Sequence, residues 1–479
     1  MPRRRRPPLL PCLLALPLAL GVALLAACRG EAPAAGVAPE PRLRLAGAAA
    51  GRSVLLLSID TLRADRLGAW GYGARPTSPN LDALASRGVV FERAHAPRAA
   101  TWPSLSTVHT GLYPSSHGAI ENGYAMADEV ETLAEVLRAA GYRTAAFLGN
   151  MCGDFHPGFE VTRCDAGQDG KVVRRALEWA ASLPADGRPW FLWVHLFGAH
   201  GPYYNGGDLA ARQLDPGYDG LLGPKRWRLD RVMTEPVALT PRDLVHLDAL
   251  YDGAVMGSDR LAGRLLDGLA AGGALDEAAV VFLADHGEEL YQHNGYLYHA
   301  CSVYQATLHV PLAVVAPGVV PPAGRVPQNV ELVDVMPTVL ALLGVAAPAE
   351  AHGVSLVPYL ERPGRGGGDG RPAFGEYGAT TIHTMVEGNW KLIVNPEEIR
   401  PHCLAGAPEG HYPIAPVELY DLAADPGETR NLAPREPERV EAMAALLDAR
   451  FRDLRRRADM QELPAELREE LRALGYVGN

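Results

Sequence analysis

Ser53-Val54-Leu55-Leu56-Leu57-Ser58-Ile59-Asp60-Thr61 is the stretch from which the fold can be read. A short apolar run bounded by turn formers suits a strand buried on both faces, as in a parallel sheet. The pattern returns at Ala278 to Ala284, followed by Asp285-His286-Gly287. Arg143 to Leu148, Trp190 to Leu196 and Val310 to Val315 read as further strands. Between them lie helical patterns: Asn80 to Arg87, with Ser78 as a cap and Gly88 as a stop, then 131–140 closed by Gly141, 171–183, 241–270, and Val333 to Leu343. Strands alternating with helices predict the α/β class, with βαβ units around a mostly parallel central sheet.

Beyond Gly364-Arg-Gly-Gly-Gly-Asp-Gly370 the pattern changes. Strand-like runs at Thr380 to Val386, Lys391 to Val394 and Glu418 to Tyr420 precede helical ones at 437–456 and 464–474. This predicts a small C-terminal α+β subdomain over 373–479, after a Gly-rich linker at 364–372 and a main domain at 51–363. At the other end, Arg3 to Arg6 precede an uncharged apolar run from Leu9 to Ala27 that ends Leu25-Ala26-Ala27-Cys28. That is the form of an export signal over 1–27, and its end resembles a bacterial lipobox with Cys28 as the lipidated residue. An uncleaved anchor is the other reading, but Pro11 and Pro17 inside the run favour cleavage. Residues 28–50, rich in Ala, Pro and Gly, read as a tether. The expectation is a cell-envelope protein held to a membrane through its lipid. Arg29 rather than Asp after Cys28 leans toward the outer membrane where a cell has two.

The composition agrees with a globular, exported chain. Of 479 residues, 48% are hydrophobic and 21% charged, which excludes wholesale disorder. Forty-five Lys and Arg against 56 Asp and Glu give −11, and removal of Arg3 to Arg6 makes the balance more negative still. Such a charge speaks against nucleic acid as a partner. Cys152 and Cys164 bracket a loop-like stretch and are the pair best placed for a disulfide in an oxidising compartment. None of the cysteines has zinc-ribbon spacing.

In a parallel sheet the ligand site lies at the carboxyl ends of the strands. Asp60, His195, His200, Asp285 and His286 all fall at or just past such ends. Carboxylates with an Asp-His pair at one edge could hold a divalent cation. Any one of them could equally be a turn residue or a helix cap.

The motifs together are more specific. Val54 to Asp65 and Thr77-Ser-Pro79-Asn80 to Gly88 resemble the opening of the sulfatase family, within the alkaline-phosphatase superfamily. Thr101-Trp102-Pro103-Ser104-Leu105, running on to Thr110-Gly111 and His117-Gly118, is similar to its nucleophile segment. Phe191 to Tyr203 resembles its substrate-histidine loop, and Phe282 to Glu288 its second metal-ligand segment. Val333 to Thr338, Trp390-Lys391, and Glu418 to Glu428 follow in family order. The resemblance implies an alkaline-phosphatase/sulfatase-like sandwich and an ester substrate. It also implies one divalent metal ion (Mn, Mg, Ca or Zn) on Asp60, Thr101, Asp285 and His286. Leu196 stands four residues before His200, where two-zinc members place an Asp, so a second metal is not expected.

One departure bears on mechanism. Formylglycine enzymes have Cys or Ser, then x-Pro-Ser-Arg, where this chain has Thr101 and then Leu105. The β-methyl of threonine blocks conversion to the aldehyde, so no formylglycine is expected. Thr61 stands at the family's second early Asp, and Gly149-Asn150 where a Lys would be sought. A Thr nucleophile resembles instead the phospho-transferring branches, including lipoteichoic-acid-synthase-like phosphoglycerol transferases. The expected mechanism is in-line attack by metal-bound Thr101 on a phosphate or sulfate ester of a small molecule, glycan or lipid. His200 or His299 would protonate the leaving oxygen, and the helix starting near Pro103 would aim free amides at the anion. His195, His293 and His109 read as structural or rim residues. The alternatives are a sulfuric ester hydrolase without formylglycine, and a catalytically silent, envelope-tethered binding protein with the same fold.

Overall fold

The computed structural model describes residues 44–469, except 153–156, 204–207, 223–231, 233–237, 294, 365–369, 378–381, 400–413, 455–460 and 467. The export segment, Cys28, most of the tether, the middle of the Gly-rich linker and the end of the 464–474 helix lie outside the described residues.

Eight strands form the main sheet: β1 (Val54–Ile59), β2 (Val89–His95), β3 (Arg143–Leu148), β4 (Val161–Cys164), β5 (Trp190–Leu196), β6 (Ala279–Ala284), β9 (His309–Val315) and β10 (Gly324–Glu331). Two short strands, β7 (Glu289–Leu290) and β8 (Leu297–Tyr298), pair as a separate ribbon. The order in the main sheet is β10-β2-β9-β6-β1-β5-β3-β4. Neighbours pair in parallel except at β9, which runs against both β2 and β6. The central strands are the apolar runs of the sequence, and β1, β5 and β6 are buried along their whole length.

Three strands of this sheet carry no such run. β2 and β10 mix charged residues with apolar ones because they lie at one side of the sheet, and β4 is a short edge strand. Pro327 sits in edge strand β10, where the register shifts between Val326 and Asn329, a place where a missing N–H is tolerated.

The helices flanking the sheet follow their sequence signals. They are α1 (Pro79–Ala85), α2 (Thr101–Thr110), α3 (Leu133–Ala139), α4 (Asp169–Ala181), α5 (Pro241–Ala271) and α6 (Val335–Leu343). Reciprocal capping boxes start α3 at Thr132 and Glu135 and α5 at Thr240 and Asp243. A disulfide joins Cys152 to Cys164 at the end of β4.

The C-terminal sheet is antiparallel in the order β11 (Ala373–Glu376), β12 (His383–Glu387), β13 (Trp390–Val394), β14 (Val417–Asp421). Helix α7 (Pro437–Asp453) covers it, bringing Met443, Leu447 and Phe451 into one buried cluster with Met385, Leu392 and Leu419. Tyr113 and Val333 join that cluster, so the small sheet shares its core with the main part of the chain.

Register decides where the chemistry falls. Ile59 lies opposite both Leu196 and Ala284, so β1, β5 and β6 end flush. Asp60 and Asp285 therefore leave the sheet side by side. His195 lies opposite Ser58 and Leu148, which brings the residues after β3 to the same edge.

Leu392→Ala should lower stability by about 2–5 kcal/mol, because the cavity would open in the shared core. Thr132→Ala should cost only about 1 kcal/mol, the value of a lost helix cap. Urea midpoints of the two variants would show the difference, and equal effects would contradict the packing described.

Candidate active site

The turn after β1 is strained and tied down. Asp60 is fully buried, and its amide donates to Leu196 O at 2.9 Å. Thr61 has φ 55°, a left-handed conformation that a β-branched residue rarely adopts. Its amide donates to Asp285 Oδ1 (3.3 Å), its hydroxyl to Asp60 O (2.8 Å), and its carbonyl accepts from Tyr251 Oη (2.6 Å). Thr61 thus ties the Asp285 carboxylate to the Asp60 backbone, with its hydroxyl turned to that backbone.

Beyond β6 the tautomer of His286 can be inferred from its partner. Its Nδ1 lies 2.9 Å from Gly287 O, which can only accept, so Nδ1 carries the proton and Nε2 offers a lone pair. Nε2 lies 3.4 Å from Asp285 Oδ2, 3.6 Å from Asp60 Oδ1 and 3.4 Å from Thr101 Oγ1. Asp285 Oδ2 is buried and accepts no hydrogen bond among the described residues. Burial raises the Asp285 carboxyl to about 6 and pushes His286 well below the usual imidazole range. Carboxylate oxygens, a hydroxyl oxygen and an imidazole lone pair converging in a buried site fit a divalent cation, and hard oxygens with one imidazole are compatible with Mn, Mg, Ca or Zn. The residues expected to hold it, Asp60, Thr101, Asp285 and His286, are thus brought together.

His195 belongs to the same cluster. The sequence reading placed it among structural or rim residues. In the structure it is fully buried, and a ring nitrogen lies within 4.8 Å of an oxygen of both Asp60 and Asp285. Ser58 Oγ accepts the Trp193 indole N–H (2.9 Å) and lies 2.8 Å from His195 Nδ1. If the Ser58 hydroxyl gives its proton to Nδ1, the imidazole proton stands on Nε2, and His195 is a donor beside the carboxylates rather than a fifth ligand. His293, bonded to Glu289 and stacked on Tyr304, and His109, packed against Trp193, are structural.

Asn150 also has a place at the site. Its Nδ2 donates to Asp60 Oδ2 at 2.5 Å, which leaves Oδ1 toward His286. The sequence reading treated it only as a missing lysine. The signal available there was its place, just past the end of a central strand.

Thr101 opens α2 and is fully buried. The expectation of a fan of free amides at this helix start needs correction. Trp102 N donates to Asn122 Oδ1 (2.9 Å), Pro103 has no N–H, and Ser104 N donates to Ala100 O. Ser104 Oγ donates to Asp285 O at 2.6 Å, which joins the start of α2 to the turn after β6.

His200 and His299 stand over this centre, their ring centroids 5.0 Å apart, and the His299 ring lies 4.4 Å from His286. Burial, aided by His299, lowers His200 to about 3, and burial with the Arg98 charge lowers His299 to about 3. Glu288, fully buried and raised by burial to about 7, lies 2.8 Å from His299 Nδ1. Sequence reasoning missed Glu288 as a partner of His299.

Comparisons with known proteins bear on the family. The chain is 28% identical over 214 residues to arylsulfatase K of Danio rerio, a match covering 43% of this chain and 38% of that protein. It is 24% identical over 480 residues to the multifunctional alkaline phosphatase superfamily protein PehA of Trinickia caryophylli, covering 80% and 91%. The phosphonate monoester hydrolase of Agrobacterium radiobacter has a similar fold, with TM-score 0.65 and 21% identity over 84% of this chain and 96% of that one. A sequence-family model described as Sulfatase matches residues 52–345, more than half of the chain, and spans every residue of the buried cluster. The chain belongs to the sulfatase family.

Proposed function

We propose that the protein is an exported, metal-dependent hydrolase or transferase that cleaves a phosphate ester with Thr101 as nucleophile. The observation that carries this reading is the position of Thr101 Oγ1, 3.4 Å from His286 Nε2 at the point where Asp60 and Asp285 converge. A divalent cation held there would supply positive charge that eases ionisation of the threonine and neutralises charge on the ester.

The chain's own groups then divide the work. Thr101 Oγ1, ionised beforehand with its proton released to solvent, attacks phosphorus in line, and the bond to the leaving oxygen breaks. His299 gives its Nε2 proton to that oxygen and takes the proton of Glu288 through Nδ1, so the pair ends as neutral His299 and a Glu288 carboxylate. Water or an acceptor alcohol attacks the threonyl ester in the second half, returns a proton through His299 to Glu288, and restores Thr101. His200 lies on the same side and would contact the ester oxygens. Sulfur in place of phosphorus is the second reading, favoured by the likeness to arylsulfatase K. The intact carboxylate–imidazole–threonine cluster argues against a silent binding scaffold.

The substrate would be a small-molecule, glycan or lipid ester met outside the cytoplasm, with the chain anchored through lipidated Cys28. Cys28→Ser should abolish acyl-chain labelling and move the protein from the detergent to the aqueous phase on partition. An unchanged partition would remove the anchor from this reading.

The nucleophile is tested by comparing matched aryl phosphate monoester, phosphodiester and sulfate ester on Mn²⁺-loaded protein and on Thr101→Ala. Phosphoester turnover should fall by at least about a thousandfold in the variant. Sulfate turnover at an equal or better rate would overturn the preference for phosphorus, and full activity of the variant would overturn the nucleophile.

The metal is tested without turnover. Mn²⁺ in roughly hundredfold excess over its Kd should stabilise the protein by about 2.7 kcal/mol in thermal unfolding. Asp285→Asn should lose that gain. Protons compete with a cation for the same oxygens, so the gain should shrink as pH falls through about 6, the raised value of Asp285. A gain constant from pH 8 to pH 5 would place the cation elsewhere.

A further inference from the structure

An anionic ester needs positive charge or hydrogen-bond donors of its own. Leu105 and Asn150 supply no cation, and the first-turn amides of α2 are largely engaged. Buried cations near the centre are paired: Arg63 with Asp65 at 2.7 Å and Lys391 with Glu428 at 2.6 Å.

Arg98 differs. It stands three residues before Thr101 and is 1% exposed. Its Nη2 donates to Glu121 Oε1 at 2.6 Å, and its guanidinium lies 4.0 Å from the centroid of the Tyr377 ring. Its Nε and Nη1 are buried and have no acceptor among the described residues. Donors left in that state are costly unless a ligand completes them. The Arg98 partner Glu121 adjoins Asn122, which accepts from Trp102 N, so the guanidinium is tied to the segment that caps the start of α2.

We propose that Arg98 binds the non-bridging oxygens of the ester through Nε and Nη1, held from behind by Glu121 and Tyr377. Arg98, three residues before Thr101, thereby supplies the cation that Leu105, four residues after it, does not. This inference rests on the reading of Thr101 as the attacking group.

The test measures anion binding, which needs no turnover. Inorganic phosphate and inorganic sulfate are titrated calorimetrically into Mn²⁺-loaded wild type, Arg98→Gln, Arg98→Lys and Thr101→Ala. Arg98→Gln should weaken the anion that binds wild type by about tenfold to a hundredfold, with Mn²⁺ affinity unchanged. Arg98→Lys keeps the buried charge should the glutamine variant not fold, and should still lose several-fold because an ammonium cannot reproduce the guanidinium geometry. Methylguanidinium should restore part of the loss in the glutamine variant, which a purely structural role would not allow. Wild-type anion affinity in both Arg98 variants, or no binding of either anion to wild type at millimolar concentration, would overturn the proposal. Thr101→Ala should bind the anion but not turn over. If it turns over fully, the nucleophile reading fails, whereas the Arg98 comparison still stands or falls on its own binding data.

Discussion

Two carboxylates and an imidazole lone pair face one another inside this protein, and most of the local structure serves to hold them there. Asp60 and Asp285 would repel if both were ionised in a dry cavity, and burial accordingly raises Asp285. A protein that merely needed packing at this edge would hold apolar residues, since unmatched buried charge is among the most destabilising features a core can carry. The cluster is coherent when a cation compensates it, and the same cation gives the adjacent threonine a reason to be there.

The support is layered. The flush ends of β1, β5 and β6 set the spacing, and the strained Thr61 turn ties the Asp285 carboxylate to the Asp60 backbone. Ser104 binds the Asp285 carbonyl from α2, which ties the helix that Thr101 opens to the turn after β6. Asn150 and the Ser58–His195 pair occupy the outer side. Each of these groups is hydrogen-bonded, which is what keeps a polar cluster rigid in a core rather than a source of alternative packings.

The proton-transfer side is built differently. His200 and His299 are held neutral by burial, so neither is a ready acid in the resting site. Under the proposed mechanism Glu288, shifted toward neutral pH, would give His299 a proton reservoir that a single imidazole with so low a value would lack. Arg98 acts in the opposite sense, disfavouring a charged His299.

The sequence by itself determined the class of the fold and which polar residues stand at the strand ends. A strand buried on both faces has to be an apolar run, and a polar residue directly behind such a run has to emerge at the sheet edge. Asp60, Asp285 and His286 were legible as strand-end residues for that reason, as was the long helical pattern of α5. β2 and β10 were not, because strands at the side of a sheet tolerate charge and so lose the apolar signature. Tertiary structure alone decided the partners. His195 looked like an ordinary strand residue until its register opposite Ser58 put it beside the carboxylates. Asn150, Asn122 and Arg98 lie on separate segments whose meeting depends on strand order and loop course, and no local pattern of residues encodes a contact made across the sheet.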